Sequence, residues 1–301
     1  MGSDEKKLLE GKKNSAINKW NLKNVVTVYE YDSRAVYYAE SFVYGQVVLK
    51  INLNEEVLKY ECNTLREFTG SSCCKVYAYC DGQLLEERIM QGRTLNSMEA
   101  VDERLDKFEK AFRSIQGKVE DTSYLYICDN TCDHTYDSYP SYINWLENAY
   151  SYCCDNNVEE ALSQKMEQAL KIGKEMFEKY PDRYLLHGDL HHENILIDAN
   201  GECKVIDPKG VIGPKIFDTP RYILNELNPD INKTGEAHIR YVINRIAELL
   251  AYSEEDVKKL FFMETILGNI WCLEDGEDID EEDIEVATNI LNDVNFAAES
   301  V

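Results

Sequence analysis

Three oxygen-bearing side chains, Asp189, Asn194 and Asp207, are spaced so that they can act on one point. Asp189 and Asn194 lie five positions apart in His187-Gly-Asp-Leu-His-His-Glu-Asn194, and Asp207 follows thirteen residues later in Ile206-Asp-Pro-Lys-Gly210. Between them, the apolar runs Ile195-Leu-Ile197 and Cys203-Lys-Val-Ile206 flank Asn200-Gly201, a pair that favours a tight turn, so the segment predicts a β-hairpin. Such a hairpin returns Asp207 to the side of Asn194. Asp189 then suits orienting and deprotonating a hydroxyl, while Asn194 and Asp207 suit magnesium, which prefers hard oxygen ligands. Phosphoryl transfer needs this set, because its loose transition state is served mainly by positioning and by neutralising charge.

The elements around the hairpin are consistent with that chemistry. Residues 24–30, 35–39 and 46–51 are β-branched and aromatic runs separated by turn residues, which predicts a three-stranded meander. A helix is expected over 54–68, with Val57, Leu58, Leu65 and Phe68 on its buried face. Lys50 closes the third strand and can reach nucleotide phosphates, with Glu61 orienting it as an ion pair; Glu55, Glu56 and Glu67 compete for that place if the register differs. Stripes at 101–115, 158–177 and 239–250 predict core helices, and Ser253-Glu-Glu-Asp256 reads as a capping box opening another.

The spacing His-x-Asp-x-x-x-x-Asn followed by Asp is that of protein-kinase catalytic loops. His187 to Asn194 resembles more closely the catalytic loop of the aminoglycoside phosphotransferases, and Ile206-Asp-Pro-Lys-Gly-Val-Ile-Gly213 resembles the metal-binding segment of their streptomycin 6-phosphotransferase branch, the aminoglycoside/hydroxyurea resistance kinases. Phe217-Asp218 with Asn225 to Pro229-Asp230, and Val47 to Lys50 with Glu61, agree with it. The resemblance implies an α+β, two-lobed protein-kinase-like fold, with a nucleotide-binding lobe over 1–88 and a helical catalytic and substrate-binding lobe over 89–301. It implies ATP as donor, with GTP left open, Mg2+ held by Asn194 and Asp207, and Asp189 as the group that deprotonates the acceptor. The strand at 83–89 stands where such kinases bind the base, which points to Glu87 and Ile89. The first hairpin lacks a glycine-rich loop, so Ser33 and backbone amides are expected to cover the phosphates. His187 and His191 are expected to order the loop, and His192 and Lys209 to meet phosphate or substrate.

Composition narrows the partners. With 32 basic and 56 acidic residues, a net charge of −24 disfavours nucleic acid and anionic membranes and favours a cationic, hydroxyl-bearing small molecule. The acidic run Glu274–Asp283 beside Trp271 is mainly a solvated surface, with one or two carboxylates expected to face substrate. No apolar stretch is long enough to span a membrane and no secretory signal opens the chain, so a cytoplasmic protein is expected. Met1 to Lys13 reads as a charged tail. The ten cysteines lack paired metal-binding spacing; Cys128, Cys132 and His134 could ligate zinc, but free thiols fit a reducing compartment better. A metabolic kinase of a sugar or amino alcohol would share every catalytic residue, and a nucleotide-sensing pseudokinase would need one of them lost.

Overall fold

The computed structural model describes residues 2–68, 72–115, 117–118, 139–227 and 235–299. Helix α1 (Gly2–Lys19) precedes strands β1 (Leu22–Glu30), β2 (Arg34–Ser41) and β3 (Gly45–Asn52), helix α2 (Glu55–Glu67), and strands β4 (Val76–Cys80) and β5 (Gln83–Glu87). The strands form one antiparallel sheet in the order β1-β2-β3-β5-β4, so the expected three-stranded meander gains two members. Alternation divides β3 between two faces: Val47, Leu49 and Ile51 are buried with Tyr37 and Leu85 under α1, which turns Lys50 to the opposite side. The expected N-terminal tail is instead α1. Leu9 and Ala16 pack against the sheet while Leu8 is exposed, and the many lysines and glutamates around them hide the buried face in the sequence.

The rest is mostly helical. Strand β6 (Arg93–Thr94) leads to α3 (Val101–Ser114), and β7 (Gly117–Lys118) comes before α4 (Tyr142–Asp155) and α5 (Glu160–Lys179). Strands β8 (Tyr184–Leu186), β9 (Ile195–Ile197), β10 (Cys203–Val205) and β11 (Val211–Gly213) precede α6 (Pro220–Asn225), α7 (Gly235–Leu250), α8 (Glu254–Glu274) and α9 (Glu281–Glu299). Two three-stranded sheets, β10-β9-β6 and β11-β8-β7, carry the hairpin of β9 and β10 and its approach.

Helix α8 is the axis of this region. Leu260, Phe261, Phe262, Met263, Ile266, Leu267 and Ile270 are all buried, so its middle is buried all round and leaves no stripe for the sequence to display. It starts after Ser253 as expected, but not through a capping box: the Ser253 side chain makes no cap bond. Asp256 is fully buried and spends its carboxylate on Lys179 Nζ at 2.7 Å and Tyr180 Oη at 2.6 Å. Among the described residues, no helix is long and apolar enough to cross a membrane. The described cysteines are all free, and the zinc alternative at Cys128, Cys132 and His134, like Pro229-Asp230, lies outside the described residues.

Candidate active site

The predicted hairpin forms, with Ile195 opposite Val205 and Ile197 opposite Cys203. Gly201 takes φ 82° in its turn, and Asp198 Oδ1 accepts the amides of Asn200 and Glu202. The Ile206 amide donates to the Asn194 carbonyl at 3.0 Å, which sets Asp207 next to Asn194.

The preceding loop is held by buried polar groups. Asp218 accepts the amides of His187 at 2.9 Å and Gly188 at 2.8 Å; burial pushes its carboxyl up to about 7, against the pull of those two donors. His187 Nδ1 accepts the Asp189 amide while Nε2 donates to the Ile206 carbonyl at 2.8 Å. Only the neutral ring satisfies both bonds, and burial lowers its pKa to about 4. Gly188 has φ 76°, and a Cβ there would stand 2.9 Å from both Trp145 and Val211, so the loop requires glycine. His191 accepts the Glu193 amide, in line with its expected ordering role. His192 departs from expectation: it is fully buried, stacked on Tyr222 and bonded to Glu226 at 2.7 Å, away from any ligand. Its place in a buried cluster with Arg104 and His238 on that same glutamate explains why it faces inward.

Asn194 Nδ2 donates to the Asp189 carbonyl at 2.8 Å. A carbonyl can only accept, so the amide orientation is fixed, and Oδ1 is left with no hydrogen bond among the described residues. Asp207 adopts φ 58°, a conformation that non-glycine residues adopt sparingly. An amide oxygen without a partner and, on the adjoining segment, the Asp207 carboxylate are oxygen donors of the kind a hard cation such as magnesium prefers.

Lys50 lies at the centre of an acidic cluster. Its Nζ is 2.5 Å from Glu61 and 2.9 Å from Glu86, and it bonds Asp207. Burial works against the Lys50 ammonium, but Asp207, Glu61 and Glu86 outweigh it and raise its pKa. Burial raises Glu61 and Glu86, whereas Lys50 holds Asp207 below the usual carboxylate range despite its burial. Glu86 was not foreseen. Its signal is the alternation of β5: Leu84 pairs with Lys50, so Glu86, two residues on, shares the Lys50 face and reaches it diagonally.

Lys50, Glu61, Asp189 and Asp207 line one cavity of about 610 Å³, walled also by Tyr29, Tyr60, Trp145, Lys209, Arg221 and Trp271. Asp189 lies 3.5 Å from Arg221 Nε, 3.7 Å from His191 Nε2 and 3.8 Å from Lys209 Nζ. Burial alone would raise its pKa; Arg221, then His191 and Lys209, bring it below the ordinary value. Ser33, Glu87 and Ile89 are not brought to this cavity, and Asn194, although next to Asp207, is not among its lining residues either. The Ser33 carbonyl accepts the Leu53 amide in a turn, the Glu87 carboxylate accepts the Lys75 amide, and Ile89 packs against the core while its carbonyl accepts the Gly92 amide. None of Glu274–Asp283 lines it either, although their neighbour Trp271 does. Arg221 and Tyr29 had no sequence signal: one sits on a six-residue helix and the other on a strand without regular burial alternation.

Residues 19–276 match the aminoglycoside/hydroxyurea antibiotic resistance kinase family. A streptomycin 3''-kinase of Klebsiella pneumoniae is 29% identical over 97 residues, spanning 30% of this chain and 35% of that protein. Among solved structures, aminoglycoside phosphotransferase APH(4)-Ia is similar with a TM-score of 0.65 at 17% identity, over 95% of this chain and 97% of that one. A thermostable mutant of it in ternary complex with AMP-PNP and hygromycin B gives 0.64 at 15% identity, over 94% and 97%. Choline kinase LicA from Streptococcus pneumoniae gives 0.63 at 14% identity, over 95% and 98%. These likenesses establish a two-lobed, protein-kinase-like α+β fold. With the family match running through both the Lys50 cluster and the hairpin of β9 and β10, the chain belongs to the aminoglycoside/hydroxyurea antibiotic resistance kinases.

Proposed function

We propose that the chain is an ATP-dependent O-phosphotransferase acting on a hydroxyl of a small molecule. The observation that carries this reading is that Asp189 and the Lys50–Glu61–Asp207 cluster open onto one cavity. Lys50, oriented by Glu61 and Glu86, would draw the donor phosphates. Asn194 and Asp207 would hold magnesium, which when bound neutralises phosphate charge. Asp189, kept ionised chiefly by Arg221, would accept a hydrogen bond from the acceptor hydroxyl, aim its lone pair at the terminal phosphorus, and take its proton as the new P–O bond forms. The pseudokinase alternative loses ground, since base and metal positions are all present.

For the acceptor, the family and the partial match to a streptomycin 3''-kinase favour an aminoglycoside, with streptomycin first. A different hydroxylated metabolite is the second reading, favoured by a likeness to choline kinase about equal to that to the aminoglycoside enzyme. The test is acceptor-dependent ADP formation with streptomycin, other aminoglycosides, simple polyols and choline. Turnover with aminoglycosides supports the first reading, and turnover with choline or polyols alone supports the second. ADP formation that no acceptor stimulates would count against phosphotransfer altogether.

A further inference from the structure

The wall of the cavity beside Asp189 holds a donor that no described residue satisfies. Arg221 is fixed from behind: Nη2 pairs with Glu264 Oε1 at 2.6 Å, and Glu264, fully buried on α8, also receives the Tyr142 hydroxyl. Its guanidinium lies over the Trp271 ring, 5.4 Å from the centroid. The remaining edge carries Nε–H, which is buried, makes no hydrogen bond, and stands 3.5 Å from Asp189 Oδ1. A buried donor left unpaired is costly, so a partner arriving with the substrate would recover that cost.

We propose that Arg221 is a specificity-determining residue whose Nε–H donates to an oxygen on the carbon next to the hydroxyl that receives phosphate. The proposal rests on the phosphotransferase reading and sharpens it: the acceptor class is a ring bearing vicinal oxygens. Asp189 takes the reacting hydroxyl, and Arg221 Nε is close enough to Asp189 Oδ1 for the two groups to grip neighbouring oxygens of one ring. Trp145 and Trp271 meet edge to face, with centroids 5.5 Å apart, and both line the cavity. Indole surface of that kind suits the C–H face of a saturated ring. An acceptor with an isolated hydroxyl would fill the same space but leave Nε–H unpaired, and a site built to bond a substrate oxygen discriminates strongly against the analogue that lacks it.

Arg221→Lys tests this, because lysine keeps a positive charge toward Glu264 but has no N–H at the Nε position. Of streptomycin, glucose and cyclohexanediol, the acceptor turned over best by the parent enzyme is paired with its analogue lacking the neighbouring hydroxyl, and kcat/KM is measured for both. The expected preference in the parent is about a hundredfold or more, collapsing to about threefold or less in Arg221→Lys. If Arg221→Lys does not fold by thermal unfolding, Arg221→Met combined with Glu264→Gln removes both buried charges together and is read by the same ratio. A parent that does not discriminate overturns the proposal. So does a variant that slows both acceptors equally, which would place Arg221 on the phosphoryl group they share. A parent that phosphorylates no acceptor overturns the phosphotransferase reading and this proposal with it, whereas unselective turnover overturns only the proposal.

Discussion

The two ends of the cavity balance charge in opposite ways. Around Lys50, three carboxylates, Glu61, Glu86 and Asp207, crowd one ammonium. Around Asp189 the ratio reverses, with Arg221 and Lys209 both approaching one carboxylate and His191 beside it. The acidic end has carboxylate to spare for an added cation, and the other end is built to keep a single carboxylate ionised inside the protein. The difference teaches that net charge does not describe this site. A chain of −24 still presents cations to whatever binds next to Asp189.

The acidic end is broken most severely through the proposed metal ligands. Asp207→Ala should abolish magnesium-dependent turnover, and Asn194→Ala should weaken it less, because a charged ligand is lost in one case and a neutral one in the other. Magnesium titrations of both variants check the order; equal and mild losses would mean that the ion is held elsewhere. Glu86→Gln removes one of the three carboxylates on Lys50 while keeping side-chain volume. A charge-assisted bond of about 1.5–3 kcal/mol corresponds to a change of roughly tenfold or more in KM for ATP. An unchanged KM and kcat would reduce Glu86 to a packing residue.

Much of the acidic end was legible in the sequence because strand and hairpin periodicities fix directions. Lys50 follows Leu49 on β3 and therefore faces away from the core under α1, and Asn200-Gly201 sets the register that returns Asp207 to Asn194. Glu61 was reachable from the α2 stripe, on which Leu58, Cys62 and Leu65 are buried with it. The Asp189 surroundings were hardly legible. Arg221, Trp145 and Glu264 come from three different helices and converge only through tertiary packing. His192 was misplaced because its partners Glu226 and Tyr222 lie about thirty residues further on. The helical nature of the first residues was hidden because two buried side chains, Leu9 and Ala16, are all that marks their inner face among charges.

The loop between the two ends gives a smaller effect, read in stability against pH. His187 has a folded-state pKa of about 4, below the ordinary 6.5. The folded protein therefore refuses a proton that the unfolded chain accepts, so the contribution is whole above pH 6.5 and is lost as pH falls toward 4. Asp218, pushed up to about 7, works in the opposite sense over the same window, so the His187 contribution is read as a difference: the Tm lost on His187→Gln should be larger at pH 7 than at pH 4.5. A Tm difference between parent and His187→Gln that stays constant from pH 7 to 4.5 would contradict the neutral, doubly bonded ring.

The smallest effect is expected from the surface acidity. Since Glu274–Asp283 lies outside the cavity lining, neutralising that run should change kcat/KM for a cationic acceptor by no more than about threefold at physiological salt, where exposed charges are screened beyond about 8 Å. A larger fall, accompanied by loss of the parent's salt dependence, would show that distant carboxylates steer the acceptor after all.

The most direct measurement compares phosphorylated acceptor formed by the parent and by Asp189→Asn, with ATP affinity measured in parallel. A carboxylate that orients and deprotonates the hydroxyl predicts stoichiometric product and ADP from the parent. It also predicts a fall in kcat of roughly a hundredfold or more in the variant, with ATP affinity nearly unchanged. Activity in Asp189→Asn within a few-fold of the parent would contradict the account.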